Sequence, residues 1–183
     1  MFILKKGCEC PVYQDIIMFE FLKNKKNIPK NINFKLLAPV SGTSIPLSEV
    51  PDPVFAQKMA GDGLAINPIS DTIVAPADGK LTLILSTKHA FAMTLENGIE
   101  ILIHIGLDTV SLNGEGFEKL IEQGTKVKAG TPIIKINPDF IKEKGFSLIS
   151  LVLITNPEIL TSVKAVENVD TIVGETTILE YTI

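Results

Sequence analysis

From about Asn33 onward, Gly and Pro interrupt the chain so often that long helices have little room to form. The runs between them are short and rich in β-branched and aliphatic residues: "FKLLAPVSG", "SDTIVAPADGKLTLIL", "FAMTLENGIEILIHIG", "KVKAGTPIIKI", "SLISLVLIT" and "DTIVGETTILEYTI". Such runs, punctuated about every 8–12 residues, predict an all-β antiparallel sandwich or barrel. Three short helices are expected within it. Pro53–Met59 has Asp52 as N-cap, Pro at the first position and Gly61 beyond its end. Phe117–Gln123 stops at Gly124, and Asp139–Lys144 stops at Gly145.

The chain also echoes itself. "LLAPVSGTSIPL" and "IVAPADGKLTLI" share Ala-Pro, two residues, then Gly. A repeated turn unit implies a sandwich assembled from duplicated hairpins. "GTKVKAG" matches a turn pattern of biotinyl and lipoyl carrier domains. The tight hairpin tip with a modifiable lysine that those carriers need is missing.

Composition narrows the function. The net charge is −4, which argues against nucleic acid as partner. All 17 basic residues are lysine, so guanidinium recognition of phosphate is excluded within this chain. No apolar run approaches the roughly 18 residues of a membrane span. The charges and cysteines of "MFILKKGCECPVYQDIIMFEF" break any signal-peptide core. Cys8 and Cys10 are too closely spaced for a zinc knuckle and read as thiols of a reducing compartment. A cytoplasmic protein is expected.

Both histidines of the chain, His89 and His104, fall in "TKHAFAMTLENGIEILIHIG". Asn97-Gly98 is a strong signal for a two-residue hairpin turn. Centring the turn there pairs Met93 with Leu102, Phe91 with His104 and His89 with Gly106. The two imidazoles then share one face with Phe91, Met93 and Leu102. Ala90, Ala92, Thr94, Ile101, Ile103 and Ile105 fall on the opposite, core-directed face. Diagonal neighbours lie about 7–8 Å apart, close enough to address one small group. Polar groups within an apolar patch suit protein docking. A structural role and a metal site both remain open. Zinc would need a third ligand, from Asp52, Asp108 or a partner.

The ordered set "APVSG", "VPDPVFAQKMAGDGLAI", "VAPADG", "KHAF", "LIHIGLDTV", "LNGEGF", "GTKVKAGTPII" and "VGETTI" resembles the glucose-type enzyme IIA of the bacterial phosphoenolpyruvate:sugar phosphotransferase system. The resemblance covers Asn33 to the C-terminus. It implies an antiparallel β-sandwich of the duplicated hybrid-motif type. Such a protein takes a phosphoryl group from the histidine-containing phosphocarrier protein and hands it to a cysteine of the sugar-specific IIB domain of the IIB/IIC permease. By the same resemblance, His104 is the phosphorylated nucleophile, His89 steadies the phosphoryl group, and Thr87 orients His89. Phe55, Leu85, Leu102 and Val110 form the apolar surround, and Asp52 and Asp108 the acidic rim. No cofactor is required, although zinc could sit at His89 and His104.

This chain departs from the family at several positions. Pro53 replaces an aliphatic residue, Lys88 stands where Asn is common, and Leu85 and Leu102 stand where aromatics occur. Two other readings compete with a relay. One is a regulatory module that docks enzymes or transporters through the same face, switched by the charge of phosphorylation. The other, a zinc peptidase of similar sandwich type, would need more histidines than the chain has.

Residues 33–183 are read as the EIIA domain and 1–32 as an extension. A family-like start falls at Met18, in "MFEFLKNKKN". Residues 1–17 are therefore expected to be dispensable. A chain beginning at Met18 should melt at the same temperature and transfer phosphate at the same rate. A loss of several degrees would contradict this.

Overall fold

The computed structural model describes residues 33–183. The extension with Cys8, Cys10 and the start at Met18 lies outside the described residues. The chain order is β1 (Phe34–Leu37), β2 (Gly42–Pro46), α1 (Pro53–Ala56), β3 (Asp62–Pro68), β4 (Thr72–Val74), β5 (Gly79–Ile84), β6 (Ala90–Leu95) and β7 (Glu100–His104). It continues with β8 (Phe117–Lys119), β9 (Lys126–Val127), β10 (Pro132–Ile136), α2 (Pro138–Glu143), β11 (Ser150–Ile154), β12 (Ser162–Ala165), β13 (Asp170–Thr171) and β14 (Thr177–Thr182).

An antiparallel eight-stranded sheet has the order β13-β2-β3-β11-β7-β6-β5-β9. Two three-stranded sheets, β1-β14-β12 and β4-β10-β8, complete the fold. All three contribute to one core, which holds Leu36, Ile73, Phe91, Ile103, Ile134, Val152 and Leu179. The fold is thus the antiparallel sandwich predicted.

The sequence echo becomes a pseudo-twofold exchange of backbone bonds. Leu37 N–H donates to Pro76 O, and Val74 N–H donates to Pro39 O, both at 2.8 Å. Gly174 N–H donates to Ala38 O and Gly130 N–H to Ala75 O, again both at 2.8 Å. Each Ala-Pro turn is therefore also bonded to a glycine of a later turn. Strand β3 escaped the sequence reading because "GDGLAINP" is framed by turn residues, yet it pairs with both β2 and β11.

Two of the three expected helices are present. The Asp52 carboxylate accepts from Val54 N–H at 2.8 Å and starts α1. Asn137 Oδ1 accepts from Phe140 N–H at 3.1 Å and starts α2. The expected helix over Phe117–Gln123 is instead strand β8, which pairs with β10 through Phe117↔Ile136. A segment this short cannot recover the cost of helix nucleation. Strand pairing satisfies its backbone and buries Phe117.

The register of the histidine hairpin differs from the expected one. Leu95 N–H donates to Ile99 O at 2.9 Å and Gly98 N–H to Leu95 O at 3.0 Å. Glu96, Asn97 and Gly98 thus form a three-residue loop with Gly98 left-handed, at φ 86°. Ala90 pairs with His104, Phe91 with Ile103 and Ala92 with Leu102. Phe91 and Met93 therefore lie in the core, while half-buried Ala92 shares the outer face with Leu102. Ile101, Ile103 and Ile105 are buried as expected. The side-chain period of two means that one extra loop residue moves the whole of β6 to the other face.

A Cβ on Gly98 would meet nothing within 4 Å, so Gly98→Ala isolates the backbone cost of the left-handed turn. That cost is about 1–2 kcal/mol. The melting temperature should fall by about 2–4 °C per kcal/mol, with phosphoryl transfer unchanged. Calorimetry of the variant checks this.

Candidate functional site

His104 is the last residue of β7, and its ring leaves the outer face of the large sheet. Its Nδ1 lies 2.9 Å from Gly106 O. A carbonyl oxygen can only accept, so Nδ1 carries the proton and the lone pair of Nε2 is free. His89 belongs to the loop just before β6, so the alternation that moved Phe91 does not bind it. Its Nδ1 lies 2.7 Å from Thr87 Oγ1. The ring centroids are 5.0 Å apart with planes at 78°. The two imidazoles thus meet as expected, although β6 has the other register. They are nearer than diagonal positions on regular strands would allow.

A second, smaller apolar cluster lies on this outer face. It contains Leu47, Val50, Phe55, Ala65, Leu107, Leu151 and Leu153, with Leu102 packed against it. The Phe55 ring of α1 stands 5.3 Å from the His104 ring and is tilted by 56°. Leu85 is half-buried, and its N–H donates to Ala90 O at 3.0 Å. Val110 is 50% exposed, in the 3-10 turn Thr109–Leu112 that follows Asp108. Val54 and Leu83 add exposed apolar surface on α1 and on the Ala92–Leu102 row.

Burial pushes both imidazoles below their ordinary pKa. For His89, the charge of a protonated His104 would push further in the same direction. For His104, the bond to Gly106 O and the charges of Asp52 and Asp108 oppose burial without overcoming it. Both rings are therefore neutral at pH 7. A neutral ring is the form with a lone pair to offer.

Three contributors were not legible in the sequence. Gly106 acts through its carbonyl, so no side chain marks it. Thr109 is buried and donates from Oγ1 to Ile105 O at 2.6 Å, which holds the turn carrying Gly106 and Asp108. Lys88 has a left-handed backbone at φ 57°, and its ammonium donates to Phe117 O at 3.3 Å. Its departure from Asn was the only trace of that role in the sequence.

The clefts of about 470 Å³ beside Lys135 and about 350 Å³ beside Lys126 contain neither histidine. Among the described residues, no group of three or more His, Cys, Asp or Glu is arranged to hold a metal ion. Among the same residues, no helix is long and apolar enough to cross a membrane.

A shallow apolar face that presents a neutral imidazole with a free Nε2 suits chemistry delivered by docking proteins, as in a histidine phosphoryl carrier. Residues 34–160 match the sequence model of the phosphoenolpyruvate-dependent sugar phosphotransferase system, EIIA 1. A glucose-specific EIIA component of Staphylococcus epidermidis is 44% identical over 168 residues, covering 91% of this chain and 99% of that protein. That of Oceanobacillus iheyensis is 44% identical over 164 residues, covering 89% and 98%. The solved glucose permease IIA from Mycoplasma capricolum superimposes with a TM-score of 0.73 at 41% identity, covering 82% of this chain and 96% of the other. The chain belongs to the EIIA-1 family of the phosphoenolpyruvate-dependent sugar phosphotransferase system. It is a phosphoryl-relay component that works through a phosphohistidine.

Because both folded rings resist protonation, the unfolded chain takes up protons first, at about pH 6.5. Stability should therefore fall as the pH drops below that value, until the folded rings protonate in turn. Urea unfolding at pH 7.5 and 5.5 checks the sign. The unmutated chain should lose more stability between the two than the His89→Gln/His104→Gln double variant.

Proposed function

We propose that His104 accepts the phosphoryl group from the histidine-containing phosphocarrier protein and passes it to a cysteine of the sugar-specific IIB domain. The observation that carries this is the opposite anchoring of the two rings. His104 is held through Nδ1 by a carbonyl, so Nε2 must be the nucleophile. His89 is held through Nδ1 by a hydroxyl. When Thr87 donates, His89 Nε2 carries a proton and can donate to a phosphoryl oxygen.

In the first transfer, the Nε2 lone pair attacks phosphorus while the N–P bond of the carrier breaks. In the second, a cysteine thiolate attacks, the N–P bond at His104 breaks, and the electron pair returns to Nε2. Transfer of this kind needs positioning and charge stabilisation. Without arginine, the His89 N–H supplies the stabilisation. Phe55, Leu85, Leu102 and Val110 give each partner an apolar seat that excludes water from the labile bond. Asp52 and Asp108 border that seat with charge suited to a basic carrier.

The names of the relatives support glucose as the sugar; we place the handover to its IIB/IIC permease on the cytoplasmic side. The relay requires no cofactor. Zinc held by His89 and His104 would draw its remaining ligands from a docked chain.

His104→Ala should accept no phosphate. His89→Gln keeps an N–H donor, so it should still be labelled, but it should release the group about 10²–10³-fold more slowly. Acid-labile phosphate on each variant, and sugar phosphorylation by membranes supplying IIB and IIC, measure the two steps. Labelling of His104→Ala at the normal level would refute the assignment.

A further inference from the structure

We infer that Lys88 is a positioning residue for the relay: its ammonium tethers the loop carrying Thr87 and His89 to Phe117, the first residue of β8. The inference rests on the roles proposed for His104 and His89. Five residues, Leu85 to His89, turn the chain between β5 and β6. Lys88 N–H donates to Leu85 O at 2.8 Å, and Leu85 N–H donates to Ala90 O at 3.0 Å. Within this turn Lys88 takes the left-handed conformation, with φ 57°. That conformation strains a residue with a Cβ and is better tolerated by Gly, Asn or Asp. Strain of this kind persists only where the surroundings over-determine the backbone.

Those surroundings are visible. The half-buried Lys88 donates its ammonium to Phe117 O at 3.3 Å. Phe117 is itself buried and paired with Ile136 in β10, so the acceptor sits on a rigid strand. The loop before it lies against the same turn. A Cβ on Gly114 would stand 3.6 Å from Thr87 Cα and 3.6 Å from Thr87 O. The turn is thus pressed against one loop at Thr87 and tied to the neighbouring strand at Lys88. Lys88 lies between Thr87 and His89, the two partners of the 2.7 Å hydroxyl–imidazole bond that orients the His89 ring. Lys88 touches neither imidazole in a recorded bond and acts through His89.

The tether also accounts for a lysine at this place. Asn would ease the backbone strain but is too short to span to the Phe117 carbonyl. Lysine accepts the strain and gains the cross-loop bond.

Lys88→Met keeps an unbranched side chain of similar length and removes the donor. Lys88→Arg keeps a long cationic donor. Nitrogen-15 imidazole spectra of the unphosphorylated full chain read the His89 tautomer and its bond to Thr87. Transfer from the phosphocarrier and onward to IIB reads the consequence. Lys88→Met should blur the single His89 tautomer and slow onward transfer by about tenfold to a hundredfold, with the melting temperature unchanged. Lys88→Arg should restore both. An unaltered His89 spectrum in Lys88→Met, or a Lys88→Arg variant as impaired as Lys88→Met, overturns the inference. The spectra do not depend on phosphorylation. Failure of the relay assignment itself would show separately, as absence of label on His104 in the unmutated chain.

Discussion

The bond pair that closes the Glu96–Gly98 loop sets the register of β6 on β7, and that register divides core from site. With Ala90 opposite His104, the Phe91–Ile103 row turns inward and fills the space under the small sheets. The Ala92–Leu102 row turns outward. A smaller loop would have exposed Phe91 and Met93 and buried alanines in their place. The core would then lose two of its larger side chains, which no neighbouring strand could replace. The outer row can be small because α1 and the chain before it cover part of it with Phe55, Leu47 and Val50.

The site works at low charge. With lysine as the only strong cation, the protein has no guanidinium with which to hold phosphate. It keeps two imidazoles neutral by burial and fixes the outer nitrogen of each by bonding the inner one. The two acidic residues have a double effect. Asp52 and Asp108 pull the His104 pKa upward against burial, and their negative charge borders the approach of a partner. Burial prevails, so the His104 ring stays neutral near neutrality.

The duplicated Ala-Pro turns explain how so shallow a site stays rigid. Their reciprocal bonds, Leu37 to Pro76 and Val74 to Pro39, tie the two turns together over one core without a disulfide among the described residues. The strands behind the histidines, β7 and β11, are central in the large sheet and paired on both sides. The two histidines themselves sit at a strand end and in a loop, where partners can reach them.

Much of this was legible in the residues. Turn chemistry and β-branched runs predicted an antiparallel sandwich, and the cap at Asp52 lies where a helix begins. The motif around His89 and His104 carried the family resemblance. Other features were not legible, for definite reasons. A loop of two or three residues around Asn97-Gly98 is chosen by which β6 face the distant sheets can bury, so Phe91 was misplaced. Phe117–Lys119 is a strand because β10 offers it a partner, which local propensity does not register. The Gly106 carbonyl and the Lys88 tether depend on backbone groups brought close by folding, and backbone groups are the same at every position of a sequence. The sequence by itself determined the chemistry available: two imidazoles, a hydroxyl and two carboxylates without arginine. Tertiary structure alone decided which nitrogen of each ring is free, because that depends on where a carbonyl and a hydroxyl come to rest.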